Sequence, residues 1–77
     1  MSDWLREGVG ELVRHRRKQL GTSQATLAEE CGVSRPQISN IEAGRSAPSL
    51  DLLWEMAFAL GCQPGVLLPP LNLDREG

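Results

Sequence analysis

The 77-residue sequence has no tyrosine, one phenylalanine and two tryptophans. Its core therefore has to be aliphatic, built from Leu, Val, Ile and Ala on short interlocking elements. Histidine occurs once, at His15, and cysteine twice, at Cys31 and Cys62. That spacing offers neither a Cys-x-x-Cys or paired-His metal site nor a disulfide framework, and the thiols read as small core residues in a reducing compartment. No apolar run approaches the ~18 residues that a membrane span requires, and no secretory leader is seen. The expectation is a soluble cytoplasmic protein with no membrane partner, metal, cofactor or small-molecule ligand. The parts of an enzyme are missing as well, since there is no nucleophile elbow and no phosphate loop.

Excess positive charge is also lacking, because the net charge is −2. The charges are nevertheless segregated. Between Val13 and Pro48 lie Arg14, Arg16, Arg17, Lys18, Arg35 and Arg45 against Glu29, Glu30 and Glu42, six bases to three acids and a local +3. The remaining acids gather toward the two ends. Phosphate responds to the local patch, so the overall balance weakens a nucleic-acid reading without excluding it. At 77 residues the chain makes one domain, residues 1–70, followed by a tail, 71–77, expected to be partly disordered.

Gly, Pro and Ser punctuation divides the domain into five short helices, about 4–20, 24–31, 35–43, 50–60 and 65–68. Asp3, Ser23, Ser34 and Ser49 stand where N-caps belong. Gly8 and Gly10 weaken the start of helix 1, each by roughly 1 kcal/mol against Ala, so either its first two turns fray or the helix starts nearer Val9. Gly32 ends helix 2 in the left-handed conformation, and Pro36 falls in the first turn of helix 3, where a missing N–H does no harm. Gln37, three residues after Ser34, is placed to close a capping box.

Apolar residues at 27, 31, 33, 38 and 41, with the small Ala28, pin helix 3 across helix 2. Arg35, Pro36, Ser39, Asn40 and Ala43 are left along one outward face. Two helices joined this way form a helix-turn-helix, whose dominant use is insertion of the second helix into the DNA major groove. The basic run Arg14 to Lys18 reads either as a solvated helix end or as a phosphate contact. On helix 4, Leu50, Leu53, Trp54, Ala57 and Leu60 share a face expected to meet the core. Leu52, Met56 and Phe58 fall outside it, and a second subunit is the expected cover for them.

The motifs Ser23-Gln24-x-x-Leu27-Ala28, Gly32-Val33-Ser34, Ile38-Ser39-x-Ile41-Glu42-x-Gly44 and Pro48-Ser49-Leu50-x-x-Leu53 resemble those of the phage-repressor and Cro-like, or Xre, family. The resemblance covers nearly all of residues 9–68. It implies an all-α, five-helix, lambda-repressor-like domain with its helix-turn-helix in helices 2 and 3. By position it implies that Gln24 grips a phosphate, that Arg35, Pro36, Ser39 and Asn40 face the bases, and that Arg17 and Glu42 form a buried salt bridge. Two separate solvated charges are the plainer reading of that last pair. Arg16 and Thr22 depart from the pattern, standing where relatives carry apolar residues.

On this resemblance the expected phosphate contacts are Gln24, Arg45, Arg14, Arg16 and Lys18, and Gln37 either reaches a base or caps its own helix. The expected partner is double-stranded DNA carrying a palindromic operator, bound by a homodimer that regulates transcription. Leu52, Met56, Phe58, Val66, Leu67, Leu71 and Leu73 are the candidate dimer contacts. A restriction–modification controller or autoregulator fits the compact form at least as well as a phage-type repressor. An antitoxin or a protein-interaction module on the same fold is the alternative.

Overall fold

The computed structural model describes residues 1–71 and is helical throughout its regular structure. Its elements are α1 (Asp3–Gln19), α2 (Gln24–Cys31), α3 (Arg35–Glu42), α4 (Leu50–Ala59) and a closing 3-10 turn (Pro64–Leu67). The fifth element is thus a single 3-10 turn where an α-helix was expected. Leu73 and the tail beyond Leu71 lie outside the described residues. Within them no helix is long and apolar enough to cross a membrane.

Local chemistry sets most boundaries. The Ser23, Ser34 and Ser49 hydroxyls accept hydrogen bonds from the backbone N–H groups of Thr26, Gln37 and Leu52, at 3.0, 3.3 and 3.0 Å. Each satisfies one of the donors that the first turn of a helix leaves open. The cap at Ser34 is one-sided, because no return bond from the Gln37 side chain occurs among the described residues. At the front of the chain Ser2, not Asp3, holds the N-cap position. Asp3 sits inside the first turn and pairs with Arg6.

Gly10 does not fray α1, which is continuous through it. A Cβ there would lie 2.3 Å from the Ile41 carbonyl oxygen and 2.8 Å from that of Glu42. The glycine lets α1 cross directly over the end of α3. Gly32, at φ +69°, supplies the left-handed residue that turns α2 into α3.

The core joins Val9 and Val13 of α1, Leu27 and Ala28 of α2, Ile38 and Ile41 of α3, Leu52, Leu53, Met56 and Ala57 of α4, and Leu60 and Leu67. Cys31 and Val33 pack against it. No aromatic ring is among these residues, as the composition demands. Leu12 is only half-buried and Leu20 is exposed, so the apolar stripe of α1 is shorter than expected.

On α4 the expected orientation is reversed in part. Leu52 and Met56 face the core, while Leu50 and Trp54 are exposed with Phe58. Both faces satisfy helical periodicity, since the helix is apolar around most of its circumference. The inward face carries flexible aliphatic and thioether side chains that fit against α2 and the 3-10 turn, and the rings stay outside. Leu52, Met56 and Leu67 are therefore buried within the chain's own core and are not dimer contacts. Phe58, Val66 and Leu71 remain on the surface.

Candidate nucleic-acid interface

α3 rests on α1 and α2 through Ile38, Ile41 and Glu42. Its opposite side presents Arg35, Pro36 and Asn40 in the open, with Ser39 half-buried beside them and Ala43 continuing the face. Gln37 is also exposed but lies beyond the edge of this face, roughly a third of a turn from its centre.

Beside Ser39 the surface falls into an open cleft of about 380 Å³. Arg14, Arg17 and Lys18 of α1, Gln24 at the start of α2, and Ser39, Glu42 and Ala43 line it. Three of the expected phosphate residues thus converge with one expected base-facing residue. Ala43 is a wall of this cleft, although nothing in its side chain marked it beyond its place on the outward face.

The floor of the cleft is an ion-pair network. Arg17 Nε and Nη2 donate to the two Glu42 carboxylate oxygens at 2.6 and 2.9 Å, a two-pronged contact. Arg17 Nη1 donates to the Thr22 carbonyl at 2.8 Å, and Gln24 Nε2 donates to Glu42 Oε1 at 3.0 Å. Burial alone would push the Glu42 carboxyl up. Hydrogen bonds from Arg17 and Gln24, and the charges of Arg17 and Arg14, outweigh it and hold the carboxyl below the ordinary range. Glu42 is thereby neutralised from within, and the rim charges, Arg14 and Lys18, face solvent. The same bond fixes the Gln24 amide at the N-terminus of α2, where backbone N–H groups favour an anion.

Arg45 lies three residues past the C-terminal end of α3 and donates through Nε to Asn40 Oδ1 at 3.0 Å. Asn40 is thus already coupled to the loop that follows α3. Arg16 does not join the group. Its Nε and Nη2 donate to the carbonyls of Leu60 and Gly61, at 3.1 and 3.2 Å, on the far side of α1 from Arg14 and Lys18. There it caps the C-terminal end of α4, whose last carbonyls lack partners within the helix. This removes Arg16 from the phosphate set and accounts for a base at a position where an apolar residue was expected.

A larger open groove, about 670 Å³, adjoins the cleft along α1, sharing Arg14 and Lys18 with it and otherwise lined by Gly8, Glu11, Leu12, His15, Pro69 and Pro70. No residue of α2 or α3 lines it. No cluster of three or more His, Cys, Asp or Glu capable of holding a metal ion occurs among the described residues.

Residues 13–67 match the family HTH_3, described as helix-turn-helix. An HTH-type transcriptional regulator from Methanothermobacter thermautotrophicus is 50% identical over 50 residues, which cover 65% of this chain and 72% of that protein. The immunity repressor of Bacillus phage phi105 is 35% identical over 68 residues, 88% of this chain and 47% of the repressor, so the chain spans under half of that relative. Among solved structures, the restriction–modification controller protein C.AhdI from Aeromonas hydrophila superposes with a TM-score of 0.78 at 32% identity, covering 80% of this chain and 94% of the controller. A hydroxypropylphosphonic acid epoxidase from S. wedmorenis also superposes, with a TM-score of 0.83 at 30% identity over 90% of this chain, but only 37% of the epoxidase is involved. The chain belongs to the Xre-type helix-turn-helix family of DNA-binding transcriptional regulators.

Proposed function

We propose that the protein binds double-stranded DNA sequence-specifically as a homodimer on a two-fold symmetric operator, in the role of a restriction–modification controller or autoregulator. One observation carries this reading: the exposed face of α3 runs directly into a cleft rimmed by Arg14, Lys18 and Gln24. With α3 in the major groove, that cleft and Arg45, both at the C-terminal half of the helix, meet the flanking phosphate backbone. The likeness to C.AhdI over nearly the whole of that controller supports the narrower role.

Arg35 takes a guanine through O6 and N7, Pro36 offers its ring to a thymine methyl, and Ser39 and Asn40 complete the reading. Arg35→Ala is expected to relax preference at one base pair by about 1–3 kcal/mol, measured by competition between operators that differ at single positions. Uniform weakening on all sequences would instead make Arg35 a phosphate contact.

Arg14, Lys18 and Arg45 give three basic contacts per protomer and six per dimer. The logarithm of affinity should then fall with the logarithm of salt at a slope of about −5. Arg45→Ala is expected to flatten that slope by about 2, read from a salt titration on operator DNA. Binding that ignores salt would favour the second reading, a protein-interaction module, which the net charge of −2 supports.

A further inference from the structure

The largest apolar surface the fold leaves open on a single element is the outer face of α4. Leu50, Trp54 and Phe58 recur every four residues and are 71%, 59% and 85% exposed. At about 100° per residue they form one stripe, directly opposite the core-facing Leu52, Leu53, Met56 and Leu60. By ordinary side-chain areas the three expose on the order of 450 Å², at the level where a surface patch marks a binding site. The stripe stands apart from the DNA-facing surface, because α4 packs on α2 and the 3-10 turn while α3 packs on α1 and α2.

We infer that this stripe is the contact between two copies of the chain, with the two α4 helices antiparallel about a two-fold axis at Trp54. The inference rests on the homodimer reading above and names the surface that makes it. An interface between identical copies must be complementary to itself. The stripe meets that condition, since one large apolar residue lies four positions to either side of Trp54. Antiparallel pairing sets the smaller Leu50 against the larger Phe58 of the second copy, twice, with the indoles meeting at the axis. It also opposes the two helix dipoles. Pairing the stripes covers roughly 900 Å² in total, so rim residues beside them must bring the contact past the ~1,000 Å² that a specific interface clears. Parallel pairing would stack Phe58 on itself and leave Leu50 facing only Leu50.

Two measurements test this on the full chain. Phe58→Arg and Trp54→Ser alter only exposed side chains, so each variant should keep the wild-type helical circular dichroism. Each is expected to weaken dimerisation at least about 30-fold by sedimentation equilibrium. In a Cys31→Ala/Cys62→Ala background, a short bifunctional thiol reagent should join Trp54→Cys to itself. It should join Leu50→Cys to Phe58→Cys in a mixture, and should not join Leu50→Cys to itself. A wild-type monomer at high micromolar concentration would overturn both the dimer reading and this surface. A dimer that survives Phe58→Arg and Trp54→Ser would overturn the surface alone, and self-coupling of Leu50→Cys would overturn the antiparallel arrangement.

Discussion

Gly10→Ala is expected to lower the thermal midpoint by about 10–20 °C, although Gly→Ala in a helix ordinarily stabilises by about 1 kcal/mol. The reversal comes from the crossing of α1 over α3. The added Cβ would stand 2.3 Å from the Ile41 carbonyl oxygen and 2.8 Å from that of Glu42. Both obstacles are backbone at the C-terminal end of α3, so no rotamer change relieves them and the helices must separate. Overpacking against a stiff neighbour costs about 1–3 kcal/mol and more where backbone has to move. A net loss near 3 kcal/mol is a large share of the ~5–15 kcal/mol that holds a small domain together. Separation also carries Ser39 and Ala43 away from Arg14 and Lys18, so DNA affinity per folded molecule should fall in step. Gly65→Ala is the control, because a Cβ at that position meets nothing within 4 Å. A Gly10→Ala midpoint within about 2 °C of wild type would mean that the crossing has slack and that the glycine is not what sets it.

Gly10 illustrates which features were legible in the sequence. Caps and turns obey rules that act over three or four residues, so Ser23, Ser34, Ser49, Gly32 and Pro36 placed α2, α3 and the start of α4 correctly. The outward set on α3 followed from the same local spacing. A glycine required by a close approach looks, in one dimension, like a glycine that weakens a helix. Arg16 likewise sits within a basic run; the helical repeat turns it away from Arg14 and Lys18, but only the fold brings the end of α4 to its side. The orientation of α4 was hidden for a related reason. When nearly every position is apolar, periodicity allows two faces, and the packing partner decides between them. Glu42 was legible only through the family resemblance, because a carboxylate three residues after Ser39 reads by itself as a solvated charge.

Arg17→Met is expected to cost about 3–5 kcal/mol, because it leaves the Glu42 carboxylate buried with Gln24 as its one remaining side-chain donor among the described residues. The two partners are only 11% and 3% exposed in their side chains, so water cannot replace the lost charge. The double variant Arg17→Met/Glu42→Leu should recover most of that loss, since apolar residues of similar volume often replace a buried ion pair at little cost. The pH dependence carries a matching signature. The folded-state pKa of Glu42 lies below its ordinary value, so its contribution is fully present above the unfolded pKa, near 4.3. That contribution is lost as the pH falls through the folded value. As the pH falls below the unfolded value the wild type should therefore lose more stability than the double variant. DNA binding adds a readout that a purely structural pair would not move. In Arg17→Met an uncompensated negative charge stands in the floor of the cleft beside α3. Affinity should fall further than the folded fraction does, and should return in the double variant where the charge is gone. An Arg17→Met cost under about 1 kcal/mol, with acid sensitivity equal in wild type and double variant, would mean that the pair contributes no more than an exposed one.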